Sequence, residues 1–294
     1  MSQPATGHAR RPDESAVAYE SRILALTHRL ETPCGDGHMV WRVWGNEPAP
    51  PLVLFHGGFG SWRHWILNVI PLSEQFQVFA ADLPGLGDSD RITDEYTAEN
   101  IAATVSQGLD TIIPPPARFH IAGFSFGGII GGHVAALQGQ RVRSFTAVAA
   151  GGLGLTNASF PELESMRGGM TPEALMALHR TNLARLMFHD PARIDDLALH
   201  LQMETVRRAR VRSGKIPWTG TLTEALRRTA STLSGIWGEH DVIAAPYLHE
   251  RKALFESLQP GCDFRVIEGA GHWLMYERPE AFNAALLSIL KAKG

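Results

Sequence analysis

Short apolar runs recur along the chain, and most of them end at glycine or at polar residues. The runs at residues 52–55, 119–122 and 145–150 lack an alternation of apolar and polar positions, which is typical of strands buried on both faces of a parallel sheet. Segments of helical length separate these runs, so the order of elements predicts an α/β fold with helices on both faces of the sheet. We predict helices over residues 62–73, 97–113, 126–138, 246–258 and 279–292.

The start of the chain has a different pattern. Residues 23–30 (ILALTHRL) and 38–45 (HMVWRVWG) predict an antiparallel pair of strands, because the sequence PCGDG at residues 33–37 is a turn signal. Residues 1–20 are polar and contain no apolar segment of the kind found in secretory signals. They are predicted to form a flexible extension.

The segment over residues 153–219 interrupts the alternation of strands and helices, since it holds helical stretches and no strand-like run. Thr171 followed by Pro172 is typical of the first residues of a helix. The segment follows the sixth predicted strand, so we expect it to form a helical cap. The core would then consist of residues 21–152 and 220–294.

Composition and charge exclude several classes of partner. Lys and Arg total 27 against 30 Asp and Glu, which gives a net charge of -3 and no general surface for nucleic acid. No apolar run is close in length to the roughly 18 residues that a membrane-spanning helix needs, so no membrane partner is expected. Cys34 and Cys262 are too few for a disulfide framework, which favours the cytoplasm. A small-molecule substrate is the expected partner. The sequence leaves open whether the chain forms a homo-oligomer.

The sequence GFSFG at residues 123–127 follows a predicted strand and precedes a predicted helix, and it matches the G-x-S-x-G pattern of a nucleophile elbow. Glycines avoid steric clashes at such a sharp turn. The turn also places the Ser125 hydroxyl at a helix N-terminus, where free amides favour developing negative charge. A serine that merely begins a helix would give the same local pattern, so this motif alone leaves both interpretations open.

A serine nucleophile needs a base that is oriented by a third group. Asp241 follows the seventh predicted strand and His272 follows the eighth, which gives the chain order Ser, Asp, His. Parallel strands bring their carboxyl ends to one edge of the sheet, where ligands of such folds bind. Alternatives stay open for each residue: Glu239 is a rival acid, Asp241 could cap a helix, and His272 could be a turn residue.

These motifs together resemble those of the α/β-hydrolase superfamily from about residue 21 to the end of the chain. Further matches are HGG at residues 56–58 and the DLPGLGDS sequence at residues 82–89. The resemblance implies a mostly parallel, eight-stranded sheet with helices on both faces and a helical cap after strand 6. It assigns Ser125 as nucleophile, His272 as base and then acid, and Asp241 as the residue that orients the histidine.

The resemblance also implies an oxyanion hole formed by the backbone N–H groups of Gly58 and Phe126, with Phe59 as the alternative to Gly58. We expect Phe59, Phe124 and Trp273 to contact substrate. The histidines show no metal-ligand spacing, and residues 58–60 lack the third glycine of a dinucleotide fingerprint. Hence neither a metal nor a cofactor is expected.

Within the superfamily, HGG at residues 56–58 and GHW at residues 271–273, with Glu277 and Asn283 beyond, resemble the meta-cleavage product hydrolases of aromatic compound degradation. Those enzymes cut a C–C bond in vinylogous keto acids. The sequence FGSW at residues 59–62 departs from their longer glycine-proline stretch, so a carboxylesterase of the same build stays open on equal terms. Haloperoxidase-type activity and a non-catalytic ligand-binding role are the further alternatives.

Overall fold

The computed structural model describes residues 9–292, in which eight strands form one sheet. The strands are β1 (His28–Cys34), β2 (Gly37–Trp44), β3 (Pro51–Phe55), β4 (Gln77–Ala81), β5 (Phe119–Phe124), β6 (Val142–Val148), β7 (Thr232–Gly238) and β8 (Asp263–Ile267). Their order across the sheet is β1-β2-β4-β3-β5-β6-β7-β8. β2 pairs antiparallel with β1 and β4, whereas all later pairs in this order are parallel. This arrangement confirms the predicted, mostly parallel sheet.

Helices precede, connect and follow the strands. They are α1 (Ala16–Leu24), α2 (Val69–Ser73), α3 (Ala98–Ile112), α4 (Phe126–Gln138), α5 (Pro172–Leu186), α6 (Asp196–Arg208), α7 (Thr221–Leu226), α8 (Leu248–Leu258), α9 (Leu274–Glu277) and α10 (Pro279–Lys291). At the start of α5 the Thr171 side chain accepts a hydrogen bond from the Ala174 amide, as predicted for a helix start. None of the helices between residues 9 and 292 has the length and hydropathy of a membrane-spanning segment.

β3 and β5 lie side by side in the middle of the sheet and carry two loops of the candidate site. Every residue of β5 is buried, and Ile121 is fully buried. Burying a side chain of this kind contributes about 1.5–3 kcal/mol, which explains why these apolar runs occupy the interior. Because β3, β5, β7 and β8 are parallel, the loops at their carboxyl ends meet at one edge.

The N-terminal part of the described chain differs from its prediction. Ser15 caps helix α1, in which Tyr19 and Ile23 are buried four residues apart on one face. The predicted flexible extension is therefore wrong for residues 16–20, and residues 1–8 lie outside the described residues. The first strand is β1 rather than residues 23–30, because the apolar residues around Ile23 complete this amphipathic helix.

Residues 149–220, between β6 and α7, form helices and irregular segments without any strand. Helices α5 and α6 contact each other within this segment. Several hydrogen bonds tie the segment to the part of the chain that follows β8. Among them, the Trp273 amide donates to the Met187 carbonyl (2.8 Å), and the Asp190 amide donates to Glu277 Oε1 (2.7 Å). The segment is thus held against the edge of the sheet that carries the candidate site.

Candidate active site

Ser125 lies at the sharp turn between β5 and α4. Its backbone has φ 50° and ψ −112°, a strained conformation for a residue with a Cβ that costs about 1–3 kcal/mol. Glycines flank it because a Cβ at Gly127 would overlap the carbonyl oxygens of Phe55 and His56, and a Cβ at Gly123 would overlap the Gly127 carbonyl. The strand therefore ends and the helix begins within one residue, and Ser125 lines a cavity at this junction.

The structure brings Ser125, His272 and Asp241 into one hydrogen-bonded chain. His272 Nε2 lies 3.1 Å from Ser125 Oγ, and His272 Nδ1 lies 2.9 Å from Asp241 Oδ2. Asp241 is 1% exposed and His272 is 4% exposed, so little water competes for these contacts. Asp241 Oδ1 accepts the Ile243 amide, which fixes the carboxylate on the loop after β7. This geometry fits a nucleophile, a base and an orienting acid.

Glu239, the rival acid, lies elsewhere in the same loop. Its side chain is exposed, and its Oε2 atom accepts a hydrogen bond from the Gly269 amide (3.0 Å). The same oxygen lies 3.3 Å from His240 Nε2. The carboxylate that faces His272 is therefore that of Asp241.

Two backbone amides face the cavity beside Ser125. Phe126 is the first residue of α4, so its N–H has no carbonyl partner within the helix. Gly58 follows Gly57, whose own amide donates to His64 Nδ1 (3.2 Å). Within residues 9–292 the Gly58 and Phe126 amides donate to no protein acceptor. Both residues line the cavity, which is the placement that an oxyanion hole requires.

The loop after β3 is held by buried polar side chains. Asp82 accepts the Trp62 amide (2.8 Å) and the Asp88 amide (2.9 Å), and its burial raises the pKa of the carboxyl group. His56 Nε2 accepts the Leu83 amide (2.9 Å), and burial lowers the pKa of this histidine to about 4. The residues after β4 thus support the loop that carries Gly58, which accounts for the motif at residues 82–89.

The comparison with known families agrees with this geometry. Residues 52–285, from β3 into α10, match the model of the alpha/beta hydrolase family. The chain belongs to the alpha/beta hydrolase family. This membership confirms the superfamily and the fold class that were predicted from the motifs, and the protein is classed as an α/β-fold hydrolase.

Relatives with curated descriptions include proteins longer than this alpha/beta hydrolase. The chain is 29% identical over 273 residues to the dihydrolipoyllysine-residue acetyltransferase component of the acetoin cleaving system of Pseudomonas putida. The match covers 85% of this chain and 66% of that relative. The chain therefore spans slightly less than two thirds of that protein's length.

Solved structures of other hydrolases share the fold. The carboxylesterase CesB from Bacillus subtilis superposes with a TM-score of 0.74 and 20% identity, covering 92% of this chain and 95% of that chain. A meta-cleavage product hydrolase, CumD, superposes with a TM-score of 0.71 and 18% identity, covering 90% and 98%. At these identities the likeness concerns the fold.

The cavity at Ser125 has a volume of about 460 Å³ and is lined mainly by apolar side chains. Phe59 and Phe124, two of the residues expected to contact substrate, lie in its wall. Asn157, Arg212 and Arg251 are polar exceptions, and the sequence patterns did not single them out. The segment between β6 and α7 supplies a large part of the wall, namely Ala149, Ala150, Gly151, Asn157, Phe160, Leu163, Leu186, Met187, Arg212, Ser213, Gly214, Pro217 and Trp218.

Trp273, the third residue expected to contact substrate, does not line this cavity. The side chain is fully buried, and its Nε1 atom donates to the His64 carbonyl (3.0 Å). Its ring contacts those of Phe188 and Tyr276. The residue joins the segment after β6 to the core, and its large apolar ring is buried there rather than facing the cavity.

His64 lines the cavity, although no sequence motif marks it as a site residue. It is buried, and burial holds the pKa of its imidazole well below the ordinary value of 6.5, so the ring is neutral. Its Nδ1 atom accepts the Gly57 amide, and a Cβ at Gly60 would overlap the ring. His64 therefore positions the loop that carries Gly58. Its place in the loop after β3 is the one sequence signal that indicates this role.

Buried histidines make the stability of the fold dependent on pH. Burial lowers the pKa of His56 and of His120 from 6.5 to about 4. Between these values the unfolded chain binds protons that the folded chain does not, so the free energy of unfolding falls as pH falls through this window. The expected slope is at most about 1.4 kcal/mol per pH unit for each histidine. Above pH 6.5 both contributions are fully present.

Urea unfolding at a series of pH values measures this slope. His120 lies in β5, away from the cavity, and its Nδ1 atom contacts Ser144 Oγ (2.7 Å). A His120→Gln variant removes one titrating group and should have a shallower slope in the same window. An unchanged slope in this variant would show that the pKa of His120 is the same in the folded and the unfolded chain, which would contradict the prediction.

Proposed function

We propose that this alpha/beta hydrolase is a serine hydrolase that cleaves a small carbonyl substrate, with Ser125 as nucleophile. The observation that best supports the proposal is the hydrogen-bonded chain from Asp241 through His272 to Ser125 at the wall of a cavity. The strained backbone of Ser125 supports it further, since strain of this kind is retained mainly at functional sites.

The proposed reaction begins with transfer of the Ser125 hydroxyl proton to His272 Nε2 as Oγ attacks the substrate carbonyl carbon. Asp241 holds the proton on His272 Nδ1, which leaves Nε2 free to accept, and it stabilises the imidazolium. The carbonyl oxygen takes the electron pair of its π bond and receives hydrogen bonds from the Gly58 and Phe126 amides. These two donors stabilise the charge that develops on the oxygen.

The attack of Ser125 gives a tetrahedral intermediate. Its collapse expels the leaving group, which takes the proton from His272. An acyl ester remains on Ser125. A water molecule then transfers a proton to His272 Nε2 and attacks the ester carbonyl. The second tetrahedral intermediate releases the carboxylic acid, and His272 returns the proton to Ser125 Oγ. The cycle consumes one water molecule and restores each residue to its starting protonation state.

We further propose that residues 153–219 act as a cap over the catalytic residues. The support is their share of the cavity wall, which includes Phe160, Leu163 and Trp218. Apolar side chains from this segment face the catalytic loops across the cavity, so a substrate with an apolar body would be enclosed between them. Differences in the cap would then change substrate preference without changing the chemistry at Ser125.

The first candidate reaction is hydrolysis of a carboxylic ester, and the second is hydrolysis of a C–C bond in a vinylogous keto acid. The carboxylesterase CesB and the meta-cleavage product hydrolase CumD share the fold about equally well. An ester has an oxygen leaving group that His272 can protonate directly. The C–C substrate needs an additional proton transfer before carbon can leave, so ester hydrolysis demands less of the residues seen here.

A paired assay tests the proposal. We expect purified protein to hydrolyse p-nitrophenyl butyrate. Loss of the yellow colour of a hydroxy-oxo-hexadienoate would show that the C–C reaction also occurs. Ester turnover without bleaching would identify an esterase, whereas bleaching at a comparable kcat/KM would identify a C–C hydrolase. Failure of both substrates at high protein concentration would contradict the proposal and favour a non-catalytic ligand-binding protein.

A further inference from the structure

Arg251 lies in the wall of the catalytic cavity although its side chain is charged. The residue belongs to α8 and is 3% exposed. Its Nη1 atom donates to the carbonyls of Thr156 (2.6 Å) and Tyr247 (3.1 Å), and its Nη2 atom donates to Asn157 Oδ1 (2.6 Å). All three acceptors are neutral groups.

The charge of this guanidinium is not balanced by an adjacent carboxylate. Within residues 9–292 Arg251 forms no ion pair, and its buried Nε atom has no hydrogen-bond partner. Asp241 and Glu250 attract it only from a longer distance, and Asp241 is already bonded to His272. Burial lowers the pKa of Arg251 from its ordinary value, which reflects the cost of keeping this cation out of water.

Asn157 Oδ1 accepts one hydrogen of Arg251 Nη2, so the second Nη2 hydrogen and the amide group of Asn157 remain without a hydrogen bond within residues 9–292. A carboxylate can accept from both groups, and a hydrogen bond from a guanidinium to a carboxylate is strengthened by the two charges. Both residues line the cavity, whereas the Nε atom of Arg251 is buried. Ile243 and Ala244, in the same wall, are apolar and suit the hydrocarbon part of a ligand.

We propose that Arg251 and Asn157 bind a carboxylate group of the substrate, so that the preferred substrates are carbonyl compounds that carry a free acid. The inference rests on the proposed function, because it assumes that the cavity at Ser125 holds the substrate. The apolar remainder of the wall fits a hydrocarbon chain between the acid and the reacting carbonyl. Half-esters of dicarboxylic acids and keto acids belong to this class.

Calorimetric titration with hexanoate and with hexanamide tests the proposal without any turnover. The two probes have the same chain and differ in charge at one end. We expect the wild-type protein to bind hexanoate at least about tenfold more tightly than hexanamide, because hydrogen bonds to charged groups are the stronger ones. Equal affinity for the two probes would overturn the proposal.

Asn157→Asp is the decisive variant. It keeps an oxygen acceptor for Arg251 Nη2, so the fold should be retained, but it places a competing negative charge where the ligand carboxylate would bind. We expect the preference for hexanoate to disappear. If Arg251 only supports the neighbouring loop, the preference will be unchanged in Asn157→Asp, and the proposal is then wrong.

Arg251→Gln and Arg212→Gln form a matched pair, since Arg212 is the other arginine of the cavity and is exposed. The preference should be lost in Arg251→Gln and retained in Arg212→Gln, whereas the opposite pattern would assign the site to Arg212. Failure of the proposed function is a separate result, since it would appear as absent ester turnover in a protein that still prefers hexanoate.

Discussion

Replacing Ser125 by alanine should lower the turnover of p-nitrophenyl butyrate by about 10⁶-fold, the scale of loss seen when a triad nucleophile is removed from a serine hydrolase. The change removes one oxygen atom, whose hydrogen bond is to His272 Nε2. The backbone turn depends on the glycines around it rather than on the hydroxyl group. We therefore expect a folded protein with almost no activity, as measured by ester assay and circular dichroism.

Ser213→Ala is the matched control, because Ser213 is another serine of the same cavity. The hydrogen-bond partners of the His272 ring are Ser125 and Asp241 rather than Ser213, so the loss of the Ser213 hydroxyl should change turnover far less than the loss of Ser125. A folded Ser125→Ala variant that keeps substantial ester turnover would show that another group attacks the substrate.

Replacing Asp241 by asparagine should lower turnover by about 10⁴-fold. The variant keeps the shape of the side chain, but an amide can neither favour the His272 tautomer with hydrogen on Nδ1 nor stabilise the imidazolium. Asp241 is almost fully buried beside His272, so water cannot replace it. Steady-state kinetics should show the loss mainly in kcat.

Glu239→Gln is the control for this second variant. Glu239 lies in the same loop, but its Oε2 atom accepts the Gly269 amide, and a glutamine oxygen can do the same. Its turnover should remain close to that of the unmodified protein. A larger loss in Glu239→Gln than in Asp241→Asn would assign the orienting role to Glu239.

The residues that meet at the edge of the sheet beside Ser125 could be predicted because their signals are local. GFSFG at residues 123–127 needs only the strand before it and the helix after it to define the turn around Ser125. Asp241 and His272 each follow a strand directly, and parallel pairing carries them to the same edge. The parallel sheet therefore brings the short motifs together at one site, in which His272 lies between Ser125 and Asp241.

Other features depend on packing that no short motif encodes. Helix α1 was not predicted, since its buried face becomes apparent only when Tyr19 and Ile23 meet the core. Trp273 follows His272 directly, yet its ring is buried against the segment after β6. Arg251 reaches the cavity from α8, and a single arginine on a helix has no pattern that distinguishes a cavity wall from solvent.

The most direct test of the central proposal is covalent labelling with a p-nitrophenyl alkylphosphonate, followed by mass spectrometry of the tryptic peptides. The tryptic peptide Phe119–Arg141 contains Ser125 and no other serine, threonine or tyrosine, so its mass alone locates the adduct. Ser125 as nucleophile predicts release of nitrophenolate equimolar with protein, an adduct on this peptide, and neither result in Ser125→Ala. An adduct on any other peptide, or no adduct with active protein, would contradict it.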